Sequence, residues 1–103
     1  MNNPSINKHL ILNWVDQNQR IFERGYRYLQ RGMLFEVHRE GEALHASCHG
    51  VENRRYELWV CFEAGVLVDS DCTCPYELEC KHIVALLLHL AFYPEVFGEA
   101  SPA

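Results

Sequence analysis

The sequence predicts an α+β fold: an N-terminal helical segment, a four-stranded antiparallel meander, a cysteine-rich loop and a C-terminal helix. Three observations support this prediction. Apolar residues recur at helical spacing in the N-terminal third, alternate with polar residues over residues 33–71, and form a continuous run at residues 83–92. With 103 residues, 49% of them hydrophobic, the chain is expected to form one domain spanning residues 1–103.

The N-terminal segment predicts a helix, or a pair of helices, that ends at Arg31. Leu10 and Trp14 share one helical face, and Ser5 is the predicted N-cap. Gly32 is expected to end the segment, because glycine readily adopts the left-handed conformation of the C′ position. On the face opposite the apolar residues, four arginines fall within about 60° of one another. They are Arg20, Arg24, Arg27 and Arg31.

These four arginines, here called the arginine stripe, are the predicted nucleic-acid-binding residues. The stripe spans roughly 16 Å at helical rise, enough to contact several phosphates. The alternative is a solvated face opposite the core, supported by a Glu23–Arg27 pair at i,i+4 spacing. The net charge of the whole chain is −5, which is not typical of a nucleic-acid-binding protein. That charge is unevenly distributed: residues 1–31 carry five cations and two anions, whereas residues 32–103 carry four cations and twelve anions.

Period-two alternation predicts strands at residues 33–39, 43–49, 54–62 and 66–71. The turns between them are short, so neighbouring strands are expected to pair antiparallel. One face of the sheet is predicted to collect Phe35, Val37, Leu44, Ala46, Cys48, Tyr56, Leu58, Val60, Phe62, Val66 and Val68, and to continue through Ser70 to Cys72 and Cys74. The cysteine-rich loop is therefore expected at one end of the core. The apolar run at residues 83–92 predicts a helix that must be covered on nearly every side.

The loop reads Cys-x-Cys, five intervening residues, then Cys-x-His, and its predicted metal ligands are Cys72, Cys74, Cys80 and His82. Thiolate and imidazole are preferred ligands of Zn²⁺, and four of them close a tetrahedral shell, so one structural zinc ion is predicted. Cys80 is expected just before the last helix and His82 in its first turn, with Pro75 starting the connecting loop. The alternatives are unrelated cysteines with a surface histidine, and a redox-active Cys-x-Cys pair or thiol-based sensor.

The two remaining cysteines, Cys48 and Cys61, alternate within predicted strands. We interpret both as buried small apolar side chains. Neither is needed to complete the zinc shell.

The Cys-Thr-Cys-Pro opening and Cys-Lys-His closing of the loop resemble the SWIM-type zinc finger. The resemblance covers roughly residues 17–92, with weaker similarity upstream at Arg24-Gly25, Tyr28 and Gly32. It implies a zinc-dependent module of the kind found in bacterial proteins, binding DNA or protein and often associated with a helicase of the SWI/SNF type. The chain itself contains no Walker A loop. The predicted function is therefore DNA and/or protein interaction; the alternative is a protein-only adaptor without nucleic-acid binding.

Catalysis is not predicted, because no nucleophile, base and acid grouping is recognisable from the spacing. No small-molecule substrate is expected. The apolar run at residues 83–92 is too short to cross a membrane, and residues 1–6 do not resemble a signal peptide. An odd number of cysteines, with three in one loop, fits a reducing compartment, so a cytoplasmic location is expected.

Overall fold

The protein has the predicted α+β architecture. The computed structural model describes residues 6–50, 53–74, 80–94 and 96. Its elements are α1 (Lys8–Trp14), α2 (Gln19–Gln30), β1 (Leu34–Glu40), β2 (Ala43–His49), β3 (Arg55–Glu63), β4 (Val66–Cys72) and α3 (Lys81–Phe92). The strands form one antiparallel sheet in the order β1-β2-β3-β4, which confirms the meander.

The N-terminal segment is a pair of helices, each capped by an asparagine. The Asn7 side chain accepts a hydrogen bond from the Leu10 N–H at 2.9 Å, so the N-cap of α1 is Asn7 and not Ser5, which lies outside the described residues. Asn18 caps α2 in the same way. At the other end of α2, Gly32 has a φ of 69° and its N–H donates to the Leu29 carbonyl, while the next N–H donates to the carbonyl of Tyr28. This is a Schellman motif, and it confirms Gly32 as the helix terminator.

Helix α3 forms the middle layer of the molecule. It contacts β3 and β4 on one side and α1 and α2 on the other. Its residues 82–88 and Leu90 are all buried, which explains why the sequence of this helix is apolar around its whole circumference. The sheet, α1 and α2 together cover it, as the sequence requires.

Helices α2 and α3 approach each other most closely at Gly25. A Cβ atom at this position would lie 2.6 Å from the Cβ of Val84 and 3.0 Å from the carbonyl oxygen of Lys81. Only glycine therefore permits this crossing. The contact places the start of α3 against the middle of α2.

The predicted inward face of the sheet is wrong at three residues, because two irregularities reverse the alternation. In β1 the register shifts between Phe35 and His38, so Phe35 pairs with Ser47 on the outward face. A second shift, opposite Cys61 and Phe62, leaves Val66 60% exposed and Val68 53% exposed, while Leu67 between them packs against the core. Beyond each shift the predicted alternation resumes, so Val37 and Cys72 pack on the core side.

Candidate metal centre

The four predicted ligands come together at one edge of the core. Cys72 is the last residue of β4, Cys74 follows two positions later, Cys80 is the N-cap of α3, and His82 lies in the first turn of that helix. The predicted placement of Cys80 and His82 is thus confirmed. Residues 75–79, including Pro75, lie outside the described residues.

The geometry of this group, here called the Cys/His cluster, fits a zinc ion. Its three Sγ atoms and one imidazole nitrogen all lie within 4.8 Å of one another. The Cys72 Sγ and His82 Nδ1 atoms are 3.7 Å apart. In a zinc tetrahedron with ordinary bond lengths the ligand atoms are separated by about 3.6–3.8 Å, so a small contraction would close the shell. Sulfur and imidazole donors in this number favour Zn²⁺ over Mg²⁺ or Ca²⁺.

The cluster is largely shielded from solvent. Cys74, Cys80 and His82 are 8%, 5% and 3% exposed, and Cys72 is half-buried. A hydrogen bond with Cys48 and burial raise the pKa of the Cys72 thiol to about 12, and a hydrogen bond with Cys72 and burial raise the pKa of Cys80 to about 12. Without a cation these thiols stay protonated at neutral pH. A bound metal ion must therefore displace their protons.

The imidazole of His82 is held between two tyrosines from different layers. Tyr28 on α2 packs edge-on against it with ring centroids 4.9 Å apart, and Tyr56 on β3 lies at 5.4 Å. The Nδ1 atom meanwhile points toward Cys72. These contacts hold the imidazole ring beside Cys72.

Cys48 lies beside the cluster, and sequence reasoning missed this. The residue is fully buried on β2, and a hydrogen bond with Cys72 lowers the pKa of the Cys48 thiol. Its proximity depends on strand pairing, since β3 separates its strand from the strand of Cys72. Period-two alternation did place both residues on the same face, which was the only available signal. Cys61, also interpreted as buried, is half-buried and pairs with Ala43.

Residues 52–91 match the SWIM zinc finger family. This range contains all four members of the Cys/His cluster, and the match and the cluster together support a SWIM-type zinc finger and a zinc-binding module. The predicted upstream similarity, from residue 17, lies outside the matched range. No curated protein and no solved structure matches the chain.

The structure places the arginine stripe on the solvent side of α2. All four arginines are exposed, whereas Gly25 and Tyr28 on the same helix are buried against α3. Lys81, in the first turn of α3, lies against the same helix, with its Nζ atom 5.4 Å from the centre of the Tyr28 ring.

A cavity of about 430 Å³ lies between α2 and α3. It is lined in part by Tyr26, Phe92 and Tyr93, which are 39%, 54% and 51% exposed.

Within the described ranges, no helix combines the length and apolar character needed to cross a membrane.

Proposed function

We propose that this protein is a non-enzymatic SWIM-type module in which one structural Zn²⁺ is bound by Cys72, Cys74, Cys80 and His82, and in which the arginine stripe binds the phosphate backbone of DNA. The zinc would join the end of β4 to the first turn of α3. Its chemistry is structural, because four protein ligands leave no position for a substrate.

The observation that carries the DNA-binding proposal is the separation of the two faces of α2. One face packs on α3 through Gly25 and Tyr28, and the other exposes all four arginines of the stripe to solvent. Guanidinium groups form strong paired hydrogen bonds with phosphate oxygens. Residues 32–103 carry four cations and twelve anions, so the stripe belongs to the more basic part of the chain, which favours phosphate binding there.

The coupling between metal and basic surface follows from the packing. α2 lies directly on α3, whose first turn carries His82 and Lys81. Loss of the metal would release the start of α3 and with it the support of α2. DNA binding is therefore expected to depend on zinc.

A salt-dependent binding series tests the proposal. The wild-type chain with zinc should bind short duplex DNA with an affinity that falls steeply as the salt concentration rises. A variant in which glutamine replaces all four arginines of the stripe should bind more weakly and show a flatter salt dependence. For a single change, Arg24→Gln should lower the slope of log K against log salt by about 0.9 if that arginine contacts one phosphate. The matched control is Arg54→Gln, which removes an exposed arginine outside the stripe.

The second candidate function is a protein-only adaptor. The exposed aromatic rings around the cavity between α2 and α3 favour it, since tyrosine and phenylalanine are enriched at protein interfaces. Absence of DNA binding by the wild-type chain at low salt would support this candidate and refute the first.

The cellular setting proposed here is a cytoplasmic bacterial protein that works beside a SWI/SNF-type helicase. The match of residues 52–91 to the SWIM zinc finger family supports it, because the resemblance noted in the sequence implies that such modules are often associated with these helicases. Affinity purification of the zinc-loaded chain from its own cells tests the association. Recovery of a helicase with the wild-type chain, but not with a Cys80→Ser variant, is the expected result.

A further inference from the structure

The exposed aromatic side chains of the described residues are gathered in one place. Tyr26, Phe92 and Tyr93 are 39%, 54% and 51% exposed, and every other Phe, Tyr or Trp that the structure describes is buried or half-buried. All three line the cavity of about 430 Å³ between α2 and α3. The rings of Tyr26 and Phe92 come from different helices and lie edge-on, with centroids 6.3 Å apart. Such a cluster of rings at the surface indicates a binding site.

The cavity combines apolar surface with a few hydrogen-bonding groups. Leu29 and Leu34 line it together with the aromatic rings, and Gln30 and His89 contribute an amide and an imidazole. None of its described lining residues carries a carboxylate. Its volume falls within the roughly 300–1,000 Å³ of pockets that bind small molecules. This composition suits a planar aromatic group with polar edges, such as a nucleobase.

The cavity borders the arginine stripe. Arg31 is flanked in the chain by Gln30 and Gly32, which both line the cavity. Gln30 is also the i+3 neighbour of Arg27 and the i+4 neighbour of Tyr26, so it lies between the stripe and the exposed rings on the surface of α2. Within the described part of the chain, none of the four arginines forms an ion pair. Guanidinium groups suited to phosphate therefore border a cavity suited to a base.

We infer that the cavity between α2 and α3 binds an unpaired base of single-stranded DNA whose phosphates lie on the arginine stripe, so that this module prefers single strands to duplex. The inference rests on the proposed DNA-binding function and deepens it. In a duplex the bases are paired and stacked, and a base must be flipped out before it can enter a cavity. A single strand avoids that cost, and its bases stack readily on aromatic side chains. The rings of Tyr26 and Phe92 contact the base, and Arg27 and Arg31 bind the phosphates next to it.

The position of the cavity favours a nucleotide over a protein side chain. A protein partner would use the apolar surface alone, whereas a nucleotide presents a planar base and an anionic phosphate side by side. The exposed ring of Tyr26 and the guanidinium groups of the stripe are neighbours on the same helix. Charge complementarity therefore selects the nucleotide, and docking of a protein becomes an outcome that the experiment can reveal.

Three DNA probes separate base binding from phosphate binding. They are a short single strand, the duplex of the same length, and a single strand of that length in which every nucleotide is abasic. Affinity for the zinc-loaded full chain is measured by fluorescence anisotropy over a series of salt concentrations. The single strand is expected to bind more tightly than the duplex. It should also bind on the order of tenfold more tightly than the abasic strand, which has the same phosphates but no bases to stack.

Tyr26→Ala and Phe92→Ala each remove one exposed ring. Each should weaken binding of the single strand on the order of tenfold, as loss of one base–aromatic contact does, and should leave the salt dependence unchanged, because no phosphate contact is lost. Neither should change binding of the abasic strand. The matched controls are Tyr26→Phe, which keeps the ring, and Val66→Ala, which removes a 60% exposed apolar side chain from β4. Both should behave as wild type.

Equal binding of the normal and abasic single strands by the wild-type chain, or tighter binding of the duplex, would overturn the inference and leave phosphate binding by the stripe intact. Unchanged binding of the single strand by both Tyr26→Ala and Phe92→Ala would also overturn it, and the cavity would then remain for a protein partner. An equal loss on the normal and abasic strands would show that the rings support the fold and not a base. A wild-type chain that binds no DNA at low salt would overturn the proposed function and this inference together.

Discussion

The ring of Tyr28 on α2 packs edge-on against the imidazole of His82 on α3, with the two ring centroids 4.9 Å apart. Aromatic pairs in this orientation attract each other, and here the pair joins the helix of the arginine stripe to a predicted metal ligand. The metal centre, α2 and α3 therefore form one packed unit, and the predictions below address its parts in turn.

Zinc is expected to stabilise the fold substantially. At a free zinc concentration of roughly 1,000 times Kd, binding should add about 4 kcal/mol to the free energy of unfolding, because the unfolded chain has no assembled site. For a domain of this size that corresponds to a rise in Tm of roughly 15 °C or more, measurable by circular dichroism with and without chelator. Cys80→Ser should lose most of this gain, whereas Cys61→Ser, outside the Cys/His cluster, should retain it. An identical Tm with and without zinc would show that the cluster has no structural role.

Zinc affinity is expected to rise with pH. The pKa values of Cys72 and Cys80, raised to about 12 in the metal-free protein, mean that both thiols are protonated at neutral pH. Each must release its proton to bind, so the apparent association constant should increase by about tenfold per pH unit for every proton displaced. Calorimetry between pH 6.5 and 8 in buffers of different ionisation enthalpy counts those protons. An affinity independent of pH would contradict thiolate ligation.

The crossing of α2 and α3 predicts that Gly25→Ala is destabilising. Alanine normally stabilises a helix relative to glycine, but here its Cβ would collide with Val84, and overpacking of this kind costs about 1–3 kcal/mol. Chemical denaturation measures the change. In a Val84→Ala background the cost of Gly25→Ala should shrink only in part, because the Cγ1 methyl group is gone but the Cβ atom of residue 84 and the Lys81 carbonyl oxygen remain. Gln30→Ala, exposed on the same helix, should leave stability near wild type. A Gly25→Ala variant as stable as the wild type, or more stable, would argue against this crossing.

A network of ion pairs and hydrogen bonds on the outward face of the sheet affects the pKa of Glu57. Hydrogen bonds from Arg55, at 2.6 Å, and from Ser47 lower the pKa of this carboxyl group. Because the folded-state pKa lies below the unfolded value, the network contributes stability at neutral pH that is lost as the pH falls through the folded pKa. Arg55→Gln should raise the Glu57 pKa toward its ordinary value in an NMR titration. Arg54→Gln, which removes the neighbouring exposed arginine, should not shift it.

The sequence predicted the order and type of every element because its signals were local. Alternation identified the four strands, and the spacing of Cys80 and His82 fixed where α3 begins. The buried surroundings of α3 followed from its apolar composition alone. The four residues of the Cys/His cluster were recognisable as candidate zinc ligands because all four lie within eleven residues of one another.

The strand irregularities and the position of Cys48 could not be predicted, because they depend on pairing between strands. Glu36 adopts a φ of 55° at the β1 irregularity, yet glutamate gives no signal for such a conformation. The outward turn of Val68 depends on the register between β3 and β4, which alternation within one strand cannot specify. Cys48 approaches Cys72 only because three strands assemble side by side.

The middle layer of this molecule is built by the last described helix in the chain. During synthesis on the ribosome, the sheet and the first two helices would emerge before α3, the helix that packs between them. Folding must therefore wait until translation has passed residue 92, and the exposed nascent surfaces would need protection until then. Because the proposed zinc would join β4 to the start of α3, a shortage of zinc in the cell is expected to prolong that interval and to lower the amount of protein that reaches the folded state.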